Sequence, residues 1–201
     1  MTTQKADEPQ RITAVVLFAE TRGFTGNSDI LSPEVVLARL TEFVSFVSGA
    51  VAEHRGTVVD ILSDTLMATF FTRDDAKQAV EAARKIQGGF AAIAEAWERD
   101  FGIRAAVSMG LHCGEAVVGI ARTSVNPRQF FVFGDCVSVA NRLMHRARAG
   151  ESVMSEELLE RASSMGMTID AESLPPLAIP RRTPIKLYGM LIDPRLDFTS
   201  A

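Results

Sequence analysis

Apolar residues recur along this chain in two rhythms, and each rhythm predicts a kind of element. Ile12 to Phe18, ITAVVLF, is a short β-branched run that suits a strand buried on both faces. Gly23 and Gly26 then allow a tight loop. Ser32-Pro33 reads as a helix start, with Ser32 as N-cap and Pro33 in the first turn. Val36, Leu40, Phe43, Val44, Val47 and Val51 follow three or four apart, which predicts an amphipathic helix to about His54, ended by Gly56. In TVVDILSDTLMATFF, residues 57 to 71, two β-type runs flank Ser63-Asp64, a hairpin with those two residues at its tip. Residues 74 to 98 are alanine-rich and helical, and Gly88-Gly89 weakens that helix or marks a close contact. Residues 103 to 121 predict two more strands around a turn at His112-Cys113-Gly114-Glu115. A strand at Gln129 to Phe133 ends in Gly134-Asp135, and a helix from about Val137 to Arg148 is closed by Gly150. ESVMSEELLERA supplies a short strand and helix. Four prolines lie between 175 and 184, and IKLYGMLI is a last strand.

The order β-α-β-β-α-β, with further αβ elements after it, predicts an α+β fold with a ferredoxin-like βαββαβ core. One core spans about residues 11 to 193. Residues 1 to 10 read as a flexible N-terminal tail and 194 to 201 as a C-terminal tail.

Composition narrows the function. The chain has 201 residues, 47% hydrophobic and 23% charged, with a net charge of -4, so it offers no basic face for a nucleic acid backbone. Its two cysteines, Cys113 and Cys136, are too few for a disulfide framework and read as reduced, buried thiols. The polar start MTTQKADEPQ is unlike a signal peptide, and no uninterrupted apolar run approaches the roughly 20 residues a bilayer demands. A cytoplasmic location without membrane contact is the expectation.

Two carboxylates stand where strands stop. Glu20 follows the first apolar run, and Asp64 sits at the hairpin tip. In a β-α-β-β core the first strand and that hairpin are neighbours, so the acids converge. Paired carboxylates without His or Cys nearby suit hard cations such as Mg²⁺ or Mn²⁺, and two such ions can clamp a triphosphate. Backbone N–H groups of Arg22, Gly23, Phe24 and Thr25 would suit the phosphates. The plainer reading, that both acids are turn residues or caps, stays open at this point. Plain readings also stand beside other residues: His112 as a turn or packing residue, Asp135 as a helix cap, Met67 and Trp97 as core.

Four strings occur in order: FAETRGFT, VVDILSDTLMATF, VSMGLHCGEAVVG and FVFGDCVSVANRL. Together they resemble the catalytic domain of class III nucleotidyl cyclases, the adenylate and guanylate cyclases, from about Ile12 to Ile192. The resemblance implies a head-to-tail homodimer, or a heterodimer with another cyclase domain. Two composite sites would use two metal ions to convert a nucleoside triphosphate to a 3′,5′-cyclic nucleotide and pyrophosphate. Residue by residue, the first metal aspartate falls on Glu20, one methylene longer, and the second on Asp64. The purine-reading lysine falls on Asp60, a reversed charge, and its companion on Phe131, which has no hydrogen-bonding group. The ribose-orienting asparagine falls on Ser138, and the transition-state arginine on Arg142, although an interface ion pair would also explain an arginine there. A late phosphate-binding lysine falls near Ile179, with Arg181 or Arg182 as stand-ins. The metal half is thus nearly intact and the purine-reading half rewritten. This implies a degenerate site: a regulatory or signalling module with lost or strongly reduced purine cyclase activity, or else an active cyclase with relaxed or altered base choice.

Overall fold

Alternation along the first strand decides how the layers form. The computed structural model describes residues 8–24, 31–121 and 129–191. In strand β1 (Gln10–Arg22), Val15, Leu17 and Ala19 are buried on one face and Ala14 and Val16 on the other. A strand apolar on both faces must be covered on both. On one side lie α1 (Pro33–Glu53) and α2 (Asp75–Phe101), whose Phe43, Val47, Ile86, Phe90 and Trp97 join the larger core. On the other lies α3 (Asp135–Arg146), with Cys136 and Ala140 packed on Ala14 and Val16.

The sheet carries β2 (Thr57–Leu62), β3 (Thr65–Phe70), β4 (Ala106–Ala121), β5 (Gln129–Phe133), β6 (Glu151–Ser155), β7 (Glu172–Leu177) and β8 (Ile185–Leu191), with α4 (Glu156–Ser164) after β6. Strand order is β2-β3-β1-β4-β6-β8-β7, and β5 pairs with β4. The first four strands stand in ferredoxin-like order, as expected. Ser32 does cap α1, accepting from the Val35 N–H, and Pro33 opens the helix. Gly89 does mark a close contact, since a Cβ there would meet Phe46 Cζ at 2.6 Å.

Four expectations change. First, β1 does not stop at Phe18 but pairs with β4 as far as Arg22–Ala106, so Glu20 lies inside the strand. Second, residues 106 to 121 form one continuous strand with no turn at Gly114. β4 extends because its partner β1 is equally long, and Gly114 leaves room for Cys136, whose Cβ an added methyl would meet at 3.0 Å. His112 is therefore a buried strand residue, hydrogen-bonded to Ser155 Oγ at 2.7 Å. Third, Asp135 does not cap α3. Gly134 holds that position, and Asp135, already in the first turn, pairs with Arg182. Fourth, β7 is an additional strand, and it tolerates Pro175 and Pro176 because it is an edge.

Helix α1 is long and apolar enough, by length and composition, to cross a membrane, with a mean hydropathy of 1.6. Here it buries Phe43, Val47, Ala50 and Val51 in the core. Both cysteines are reduced and buried. The expected tails lie almost wholly outside the described residues.

Candidate active site

The β2-β3 hairpin sits beside the end of β1 because the Thr21 N–H donates to the Asp64 carbonyl at 3.2 Å. Ser63 adopts φ 55, the left-handed conformation that lets the two-residue tip close. Glu20 lies opposite Thr65 of β3, one residue past Asp64, and opposite Ser108 of β4. The sheet therefore brings the backbones of Glu20 and Asp64, the two expected metal ligands, to one corner.

Side-chain direction follows from strand period. Glu20 is an even residue of β1 and shares the α3 face with Ala14 and Val16. Arg22, two residues on, shares it too. Its Nη1 lies 3.0 Å from Glu20 Oε2. Its Nε donates to Ser108 Oγ at 3.0 Å and its Nη2 to the Met144 carbonyl at 3.1 Å. Ser108 Oγ in turn donates to the Arg148 carbonyl at 2.9 Å. The buried Glu20 Oε2 has no donor aligned on it as a hydrogen bond despite that ion pair. Arg22, expected to serve through its backbone, is thus held through its side chain.

Phe24 is 3% exposed and its ring lies 5.7 Å from that of Trp97, so the loop after β1 is anchored in the α2 core. Trp97 is a core residue, as expected, and its Nε1–H donates to Glu42. Gly23, at φ 79, makes the turn between Arg22 and Phe24. Thr25 lies outside the described residues.

The two positions expected to read a base separate. Asp60 lines a cavity of about 290 Å³ with Phe18, Leu62, Thr65, Met67, Asn141, Met144 and His145. Its Oδ1 accepts the Ile61 N–H at 2.9 Å, next to a bulge in β2. Phe131, on β5 opposite Gly119 of β4, stacks on Phe133 at 5.8 Å and does not line this cavity. Ser138 and Arg142 are exposed on α3. Asn141 and His145, on the same helix, were not expected from the sequence; Asn141 lies in the FVFGDCVSVANRL string, and only the three-residue spacings from Ser138 to Asn141 and from Arg142 to His145 signal them. Met67, assigned to the core, is both buried and part of the cavity wall. Arg182 is engaged with Asp135 at the N-terminal end of α3, the opposite end from Met144. Ile179 packs against the cluster of Val139, Leu143 and Leu187.

A hard divalent cation fits the corner's chemistry. Both donors are carboxylates, and a buried oxygen of one lacks an aligned donor. Among the described residues no group of three or more His, Cys, Asp or Glu gathers to hold a metal. Protein ligands beyond Glu20 and Asp64 would therefore be few, and waters and phosphate oxygens would fill the rest, the usual manner for Mg²⁺.

The sequence profile described as "Adenylate and Guanylate cyclase catalytic domain" matches residues 6–189. The chain belongs to this family. The cyclase domain is 30% identical over 152 residues to "Adenylate cyclase, germination specific" of Dictyostelium discoideum, covering 73% of this chain and 17% of that protein. It is 34% identical over 143 residues to "Adenylate cyclase 1" of Rhizobium meliloti (strain 1021), covering 67% and 20%. The chain thus spans a fifth or less of these relatives. Its fold is that of the adenylyl cyclase CyaB from P. aeruginosa, with TM-score 0.82 at 23% identity over 94% of this chain and 98% of the other. The guanylyl cyclase Cya2 superposes with TM-score 0.78 at 22% identity over 90% and 92%.

Proposed function

We propose that this cyclase domain works as a dimeric signalling module whose turnover of purine nucleoside triphosphates is lost or strongly reduced. The observation that carries this is Glu20 held against Arg22 at 3.0 Å, where a metal carboxylate is wanted. Two further features support it. Asp60 brings a carboxylate to the cavity beside the sheet corner, which disfavours a polyanionic nucleotide. Phe131 offers no hydrogen bond to a base, and a site built on such bonds loses about 10⁴ to 10⁵ in discrimination without them.

In the dimer, Glu20 and Asp64 of one protomer hold Mg²⁺ or Mn²⁺, which would neutralise triphosphate charge and activate the attacking oxygen. Ser138 and Arg142 of the other protomer face the ribose and the developing charge. Their exposure on α3 agrees with service at an interface. The partner is a second copy or another cyclase domain.

A second reading, an active cyclase with altered base choice, is favoured by the cavity itself. Asp60 and Asn141 both line it and offer a base an acceptor and an amide. Incubation of the folded dimer with Mn²⁺ or Mg²⁺ and each of ATP, GTP, CTP and UTP separates the two. Absence of cyclic product with ATP and GTP is expected. Purine cyclic product at an ordinary enzymatic rate, abolished by Asp64→Ala, would sink the proposal, and product from CTP or UTP alone would establish the second reading.

A further inference from the structure

Arg22 is held by three parts of the fold at once, and only one of its contacts is to a proposed metal ligand. Nε is fixed by Ser108 on β4, Nη2 by the Met144 carbonyl in the last turn of α3, and Nη1 lies against Glu20. The guanidinium is planar, so fixing Nε and Nη2 leaves Nη1 little choice of direction. Its side chain is 26% exposed and that of Glu20 is 16%, so water screens the pair only in part. The carbonyl at Met144 adds the negative end of the helix to what holds the cation.

We infer that Arg22 is a built-in counterion that competes with the divalent cation for Glu20, and so positions Glu20 and sets metal affinity. This rests on the reading that Glu20 and Asp64 hold the metal. The metal-free corner keeps Glu20 compensated by a charge that belongs to the fold. A divalent cation must displace Nη1 from Glu20 Oε2 to bind there, while Ser108 and Met144 retain the rest of the guanidinium. The occupancy of Glu20 is thereby tied to the C-terminal turn of α3, the helix that carries Ser138 and Arg142.

The test is Mn²⁺ binding to the nucleotide-free protein, read from the electron paramagnetic resonance signal of free Mn²⁺. Arg22→Gln should bind about tenfold more tightly than wild type, the factor for one charge-assisted contact removed. Arg22→Lys keeps a charge but cannot span all three partners, and should bind about threefold more tightly; it carries the test if Arg22→Gln does not fold. Asp64→Asn should abolish the site in every background. Wild-type affinity, or weaker, in both Arg22 variants would overturn the inference while leaving the metal site standing. Absence of any Asp64-dependent Mn²⁺ binding in wild type and variants alike would overturn the metal site and this inference together.

Discussion

Arg22 Nη1 lies 3.0 Å from Glu20 Oε2, two positions along the same face of β1. Side-chain length matters to this pair, because an aspartate would end one methylene short of the guanidinium. Glu20→Asp is therefore expected to weaken the ion pair and to lower metal-free stability by about 1 kcal/mol, given the partial exposure of both groups. It should also enlarge the rise in Tm that Mn²⁺ produces. Thermal unfolding with and without Mn²⁺ checks both, and an unchanged Mn²⁺ increment would speak against Arg22 as competitor.

Gly110 sets how closely α3 approaches the sheet. A Cβ there would strike the Met144 nitrogen and the Ala140 oxygen, both backbone atoms that cannot swing away. Gly110→Ala is expected to cost about 1–3 kcal/mol and to push α3 outward. Chemical denaturation measures the cost. Retention of full stability would mean that α3 docks less closely than described.

Burial holds the His112 imidazole below its ordinary range, although Glu157 and Asp135 oppose the shift. The folded protein then takes up this proton only at a pH below 6.5, whereas the unfolded chain takes it up near 6.5. The unfolded state binds more protons in that window, so stability rises with pH there and falls as the solution is acidified below about 6.5. His112→Gln should flatten this part of the stability profile. An unaltered slope below pH 6.5 would assign it to other groups.

Cys113 behaves oppositely at high pH. Burial pushes its thiol up to about 11. Between the unfolded value of 9.0 and about 11 the unfolded chain loses a proton that the folded chain keeps, so stability falls with rising pH in that window. At pH 8 the native thiol should resist iodoacetamide and react only on unfolding. Rapid native-state alkylation, mapped by mass spectrometry, would show that β4 is open around Cys113.

Much of this arrangement was legible in the sequence. The β-branched run before Glu20, the Ser32-Pro33 start and the Ser63-Asp64 tip each specify local structure, and a strand, a helix and a hairpin formed there, although the strand runs on past its expected end to Arg22. What escaped was non-local. His112-Cys113-Gly114 carries turn-like residues, yet β1 on one side holds β4 straight through them. Asp135 has a capping residue's chemistry, but Arg182, forty-seven positions away, claims its carboxylate. The roles of Arg22, Asn141 and His145 depend on α3 lying across the corner of the sheet, and no spacing within a single strand announces that. The nearness of Glu20 to the Ser63-Asp64 tip rested on local pattern and could be read; the α3 wall of the cavity rested on tertiary approach and could not.

Restoring the family's residues tests the central claim most directly. The rate of cyclic nucleotide formation from ATP and GTP with Mn²⁺ is measured for the wild type and for a variant combining Glu20→Asp, Asp60→Lys, Phe131→Asp and Ser138→Asn, both as folded dimers. A degenerate site predicts a wild-type rate at the blank, or at least about a hundredfold below the restored variant, the scale of loss for a misplaced reacting group. A wild-type purine cyclase rate equal to or above that of the variant, and dependent on Asp64, would contradict it.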